Sequence, residues 1–254
     1  MPVLLGIPTA PPAAGGIEVD LRGPLGAAER DCAAGMVGAV LRHHGLSPAG
    51  VRVRLSAGTC PDGSALIQVN LPVRGAPARV QVAGPSVAAA VAGGAARLDQ
   101  QIRRLTAGWQ WWPWPDPQRP MLELSGPDRI ARVKTFRLPV GAPCQAATAM
   151  CARDYDVYLF TDLETGEDAV VYRCGPTGLR LARQYRRHPP VTPALPELTI
   201  NSRATPTLDA TEAARRLGVT RLPHLFFTDR ATGRGNLVYR RYNGEVGLIR
   251  PADR

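Results

Sequence analysis

A chain of 254 residues, 44% hydrophobic and 20% charged, has the composition of a globular protein and length enough for two or three small domains. Its formal charge is +10, and of its 31 basic residues only Lys134 is a lysine; the excess points to a polyanion, though plain GC-rich codon usage also favours arginine. Five cysteines with no C-x-x-C and four scattered histidines give neither metal-ligand spacing nor a disulfide framework, so no metal and no cofactor is expected.

The opening MPVLLGIPTAPPAAGG lacks the basic region of a signal peptide and is broken by prolines. No run reaches the roughly 18 apolar residues of a membrane span. A cytoplasmic protein without a membrane partner is expected, with a disordered tail over residues 1–16. Order begins at Ile17, where IEVDL alternates as a strand. The stretch from Leu25 to His44 spaces Leu25, Cys32, Met36, Val40 and Leu41 as one helical face, stopped by Gly45. Three strands follow, Val51 to Ser56, Ser64 to Val73 and Ala78 to Ala83, joined by Pro61-Asp62-Gly63 and Arg74-Gly75; their sequential order predicts an antiparallel meander. A helix from Ser86 to about Gly108, with Val87, Val91, Leu98, Ile102 and Leu105 as its apolar stripe, completes a β-α-β-β-β-α domain over residues 17–109.

If Val51, Val53, Leu55, Ile67, Val69, Leu71, Val80 and Val82 face the helices, then Arg52, Arg54, Gln68, Asn70, Arg79 and Gln81 share the open face. That face is basic, and Arg97, Arg103 and Arg104 fall on or beside the solvent side of the last helix. Singly, each arginine reads as surface. Together they suit the phosphates of a structured RNA, which guanidinium forks grip bidentately. With no aromatic among them, stacking on single-stranded bases is not indicated.

Residues 110–133 form a linker. WQWWPWPDPQRP holds four Trp and four Pro, and proline excludes regular structure there. Its tryptophans suit packing against the domain, with stacking on RNA or insertion into a protein groove as the alternatives. Beyond it the chain repeats itself. Asp162 and Asp229 stand 67 positions apart, and the same offset pairs Phe160 with Phe227, Thr165-Gly166 with Thr232-Gly233, and Val171-Tyr172-Arg173 with Val238-Tyr239-Arg240. Each copy, residues 134–186 and 198–254 around a second linker at 187–197, reads as a strand, a helix and a three-stranded meander. Its hairpin turns at Thr-Asp-x-x-Thr-Gly. The second helix has Thr207 or Asp209 as its N-cap and Gly218 as its stop. Cys144 and Cys151, seven apart in the first helix, are packed thiols. The fold class is α+β: the β-α-β-β-β-α domain, a Trp/Pro linker and two tandem small repeats.

The order β-α-β-β-β-α with IEVDLRG and RLDQQIRRL, then KTFRLP, YLFTDLETGEDAVVYR and VYRRYNGEVGLIRP, resembles the long form of the ribosome hibernation-promoting factor family, also called ribosomal S30AE or sigma-54 modulation. The doubled carboxyl-terminal motif is similar to that family's dormancy-associated variant. The resemblance implies a non-enzymatic cytoplasmic factor that binds the 30S subunit and the 70S ribosome, through 16S rRNA and small-subunit proteins, across the mRNA channel and tRNA sites, and silences translation under starvation or hypoxia. It assigns rRNA contact to Arg22 and to Arg97, Arg103 and Arg104. The first helix is poorer in basic residues than the family pattern, leaving Arg30 and Arg42, and Gln100 stands where a basic residue is usual; the sheet face or the repeats are expected to carry part of the load.

Asp162 with Glu164, and Glu167 with Asp168, sit at a hairpin turn, and the second copy replaces the last three with Ala231, Arg234 and Gly235. No catalytic pair and no enzyme is expected. Both faces of the repeat strands are apolar, and one helix covers only one of them, so a partner is required. The second copy, tethered by about ten residues, is the expected partner. Phe160, Tyr172, Phe227 and Tyr239 would build an intramolecular pair, leaving a monomer that stores ribosomes as 70S particles. The alternatives are pairing between chains, giving 100S disomes, and a sigma-factor or transcription modulator, for which no helix-turn-helix is seen.

Overall fold

The computed structural model describes residues 16–58, 64–107, 116, 129–175, 178–191, 198–241 and 244–252. The expected tail up to Gly15 and the tryptophan cluster lie outside them. Two compact units form, Met1–Gln110 with Ala152–Asp154, and Trp111–Cys151 with Tyr155–Arg254.

In the first unit, strand β1 (Glu18–Arg22) leads into helix α1 (Ala27–His43), then β2 (Arg52–Ser56), β3 (Ala65–Val73), β4 (Ala76–Gly84) and helix α2 (Val87–Ala107). The sheet order is β1-β2-β3-β4, with β1 parallel to β2 and the rest antiparallel. All eight apolar residues expected to face the helices are buried. They form one core with Leu41, Val91, Leu98 and Ile102. Helix α1 differs from the reading of its sequence. Its buried face is Ala33, Val37, Gly38 and Leu41, whereas Cys32 and Met36 are exposed. An Ala/Gly-rich helix packs through its small residues because they let the backbone come close, and hydrophobic size alone therefore misplaced the face by about one position.

The second unit contains two five-stranded sheets. The first comprises β6 (Val140–Gly141), β7 (Val157–Asp162), β8 (Asp168–Arg173) and β9 (Leu179–Arg183), with α3 (Pro143–Ala152) between β6 and β7. The second comprises β11 (Thr207–Leu208), α4 (Ala210–Thr220), β12 (His224–Asp229), β13 (Gly235–Arg240) and β14 (Val246–Pro251). Each of these begins 67 residues after its counterpart. Asp209 caps α4, accepting from the Glu212 amide at 2.8 Å while Glu212 reaches back to the Asp209 amide at 3.0 Å. Gly218 does not stop that helix; the left-handed Arg221 does, its amide meeting the Gly218 carbonyl.

The remaining two strands are exchanged. β5 (Ile130–Phe136), which opens the first copy, lies parallel beside β14 in the second sheet, and β10 (Leu198–Ile200), which opens the second copy, lies parallel beside β9 in the first. The registers are equivalent: Val133 sits against Leu248 and Ile200 against Leu181, and each member of one pair stands 67 positions from its counterpart in the other. The repeat is thus not a self-contained strand, helix and meander, because each copy's first strand completes the other copy's sheet. A shared apolar core of Leu138, Leu159, Val170, Ala182, Phe226 and Leu237 joins the copies, with Phe136, Val157, Tyr172 and Ile249 packed against it. Each copy keeps its own core under its helix, around Phe160 in the first and Phe227 in the second.

Two of the four residues expected between the copies therefore lie elsewhere. Phe160 and Phe227 are buried under α3 and α4, and their strand neighbours Leu159 and Phe226 occupy the shared face. Tyr172 does pack there, its ring edge-on to His224 at 5.3 Å. Tyr239 lies beneath the Lys134 ammonium, 5.6 Å from its ring centre.

His224 introduces a pH dependence. Its Nδ1 is buried without a hydrogen-bond partner. Burial holds its pKa down to about 4, against the opposing pull of Asp156. The folded state binds its proton more weakly than the unfolded chain, so the stabilisation is complete above 6.5 and is lost as pH falls from there towards 4. Acid titration of thermal stability is expected to show a loss on the order of 3 kcal/mol across that window. His224→Val, which restores the residue of the first copy, should remove that part of the slope; an unchanged slope would assign the acid sensitivity to other groups.

Candidate nucleic-acid interface

The nine arginines expected to meet RNA fall into three settings. Along the sheet edge, β1 places Glu18 opposite Arg52 and Asp20 opposite Arg54. Arg52 Nε donates to Glu18 at 3.1 Å, Arg54 Nε to Asp20 at 2.9 Å, and Arg22 Nε to the same Asp20 oxygen at 3.3 Å. The Arg54 hydrogen bond, opposed by slight burial and aided by the charge of Arg22, keeps the Asp20 carboxyl below its ordinary range. Three arginines here face two acids, so this face is far less positive than its second, third and fourth strands suggest. The acids belong to IEVDL, whose alternation places Glu18 and Asp20 on the polar face; a parallel first strand against Val51 to Ser56 brings them into register.

The second setting is an interior one. Arg97 is fully buried, and its Nε and Nη2 donate to the two oxygens of Asp154 at 2.8 and 2.7 Å. Gln101 Nε2 donates to the Ala152 carbonyl at 3.1 Å, and Arg79 donates to the Arg153 carbonyl and to Gln68 Oε1, each at 3.3 Å. Segment Ala152–Asp154, which belongs with this unit, thus covers the side of α2 and β4 where Arg97 and Gln81 lie. The expectation that Arg97 meets RNA phosphate is corrected: its fork is already filled by a carboxylate with no exposure to solvent. Arg79 is half-buried and partly engaged in the same way.

The third setting lies where the end of α1 meets α2. His44 Nε2 is 2.8 Å from Asp99 Oδ1, and Arg103 meets the same carboxylate at 3.1 Å while its side chain remains 62% exposed. Burial raises the Asp99 pKa, but the His44 hydrogen bond and the Arg103 charge outweigh it, and the net shift is downward. Arg42 and His43 are exposed in the last turn of α1, where a positive charge also favours the helix end. Arg104 lies half-exposed beside Arg103, and Arg30 is exposed further up α1. In this setting Arg30, Arg42 and Arg103 are exposed, with Asp99 as the acid that Arg103 meets. His43, His44 and Asp99 also bring possible metal-ligand atoms within 4.8 Å of one another, a grouping that chain spacing does not reveal. Asp99 is already held by His44 and by a guanidinium, and such a neighbour repels a cation; the group ties α1 to α2.

The acids at the first hairpin are structural. Asp162 accepts from Arg183 Nε at 2.7 Å and from the Glu164 amide at 2.9 Å. Glu167 accepts from the Tyr185 and Arg186 amides at 2.8 and 3.2 Å. Among the described residues no helix is long and apolar enough to cross a membrane.

Residues 125–181 match the family described as the C terminus of sigma 54 modulation/S30EA ribosomal proteins. The chain belongs to that family. Over 237 residues it is 46% identical to the dormancy associated translation inhibitor of Mycobacterium tuberculosis strain CDC 1551 / Oshkosh, covering 90% of this chain and 86% of that protein. The protein of the same name from strain H37Rv gives the same figures. Among solved structures, the N-terminal domain of Thermus thermophilus Protein Y matches 36% of this chain and 99% of its own at 17% identity, with a TM-score of 0.30. A ribosomal subunit interface protein from Coxiella burnetii matches 37% and 100% at 12% identity, with a TM-score of 0.29.

Proposed function

We propose that this protein is a ribosome-associated inhibitor of translation that acts by binding rather than by catalysis, in the cytoplasm, under dormancy or starvation. The identity with the dormancy associated translation inhibitor, spread over 90% of the chain, carries this reading. The first unit docks on the small subunit near the decoding region and excludes mRNA and tRNA. Its contact surface is the helix end around Arg42, His43, Arg103 and Arg104, with Arg30 and the sheet-edge arginines Arg22, Arg52 and Arg54 as lesser contributors. The exposure of Arg42, His43 and Arg103 around one acid, Asp99, against three arginines held by two acids at the sheet edge, supports that order. The free protein is a monomer that holds inactive 70S particles, a reading supported by the mutual covering of the two repeats within one chain.

The test is sedimentation of ribosomes incubated with the protein, together with footprinting. Co-migration with 30S and 70S particles and protection in the decoding region are expected; protection confined to the large subunit overturns the reading. Binding should weaken steeply with salt, and Arg103→Ala with Arg104→Ala should flatten the logarithmic salt slope by roughly one to two units. An unchanged slope would make that pair an ordinary solvated helix end.

A further inference from the structure

The two copies differ where they touch. In the equivalent positions, the first has Glu167-Asp168 and the second Arg234-Gly235, and Asp168 meets Arg234 and Gly235 across the pair. Arg234 donates from Nε and Nη2 to the Asp168 carboxylate at 2.7 and 3.1 Å, and the Gly235 amide donates to Asp168 Oδ2 at 2.9 Å. Asp168 is 1% exposed, so the carboxylate depends on these donors, together with the Thr161 hydroxyl of its own copy at 3.2 Å, in place of water. There is no room for a second side chain. A Cβ on Gly235 would lie 2.6 Å from the Asp168 Cβ and 2.8 Å from the Phe226 ring, closer than carbon atoms approach. Beside this contact Gln184 donates to Thr228 Oγ1 and to the Gly233 carbonyl at 3.1 and 3.0 Å. Its counterpart in the second copy is Pro251, whose side chain has no donor.

Equivalent residues face each other here, so like copies would set residue 168 against 168, or 235 against 235. First against first puts two Cβ atoms where one fits, and buries two carboxylates with glutamates where the guanidinium should be. Second against second leaves two arginines without an acid and a gap where the carboxylate stood. Only the mixed pair supplies one acid, one guanidinium and one missing side chain. We infer that Asp168 on one side and Arg234-Gly235 on the other determine pairing specificity: a first copy takes a second copy as its partner, the chain's own by virtue of the tether, and rejects a like copy of another chain.

The inference rests on the pairing within the chain and its test involves no ribosome, so it fails or stands apart from the ribosome reading. Three full-length variants are compared with the parent by thermal melting and sedimentation velocity. R234E/G235D gives the second copy the residues of the first; its carboxyl-terminal unit is expected to melt at least roughly 10 °C lower. E167R/D168G/R234E/G235D exchanges the two halves of the contact and is expected to regain at least half of that loss as a monomer. Full recovery is not expected, because Glu167 also holds the Tyr185 and Arg186 amides. Gly235→Ala, which adds the Cβ without charge, should fall between parent and R234E/G235D, and it supplies the comparison if the latter does not fold. A parent-like melt for R234E/G235D, or an exchanged variant that melts no higher than it or dimerises, overturns the inference.

Discussion

Replacing Asp162 by alanine is expected to cost the second unit about 3–5 kcal/mol, the cost of leaving a buried charge without its partner. Asp162 is fully buried, and the Arg183 guanidinium it holds from β9 has 1% side-chain exposure. The other Arg183 contacts are the His188 carbonyl at 2.7 Å and Glu164 at 3.5 Å, and neither replaces a carboxylate in direct contact with Nε. The same Asp162 turns the hairpin through the Glu164 amide, so one substitution removes both a charge partner and a turn acceptor. In a unit of this size the loss should lower the melting temperature by roughly 10–20 °C. Asp162→Asn keeps the turn bond and should recover a minor part. A loss below about 1 kcal/mol would mean that water reaches Arg183 once the carboxylate is gone.

The aspartate itself was legible in the sequence, since Thr-Asp-x-x-Thr-Gly between apolar runs asks for a turn, but its charge partner was not, because Arg183 lies on the third strand. The same distinction runs through the molecule. Strands of the first unit could be read by alternation because one face is apolar and the other polar, so burial follows from a period of two. The repeat strands are apolar on both faces, and alternation then separates Leu159 from Phe160 without saying which meets the helix; aromatic size favoured the wrong one. Strand exchange leaves no local mark at all. Either sheet edge offers the same hydrogen bonds to an entering strand, and the choice between own and opposite copy is made by connection lengths and by the shared core. Among the site arginines, the ladder of Glu18 and Asp20 could be found by placing β1 beside β2. The burial of Arg97 could not, since Asp154 arrives from 57 residues further on.

Exchange also fixes what removal of the second copy must do. A chain ending at Val191 loses β10 from the edge of the first sheet and loses the whole sheet that β5 completes. Leu159, Val170 and Ala182, each 5% exposed or less, lose the facing Phe226 and Leu237, and Asp168 loses Arg234 and the Gly235 amide. Exposing three such apolar side chains costs on the order of 3–6 kcal/mol. Asp168 itself then faces water and keeps the Thr161 hydroxyl as a donor, so it adds little; the apolar loss alone is comparable with the lower end of the roughly 5–15 kcal/mol that a whole domain retains. The truncated chain is therefore expected to lose cooperative folding beyond Ile130, taking Asp154 from Arg97, while residues 17–107 keep the apolar core of their own sheet and helices. Hydrogen exchange distinguishes the two regions: amides of β7, β8 and β9 should lose protection by several orders of magnitude while those of β2, β3 and β4 keep theirs. Asp168→Gly in the truncated chain removes the acid that pairing of two first copies would bury, and should restore part of the lost protection in a concentration-dependent manner if the apolar faces then pair between chains. Full protection of β7 to β9 in the truncated monomer would mean that one copy folds alone, and that the exchanged strands contribute little to its stability.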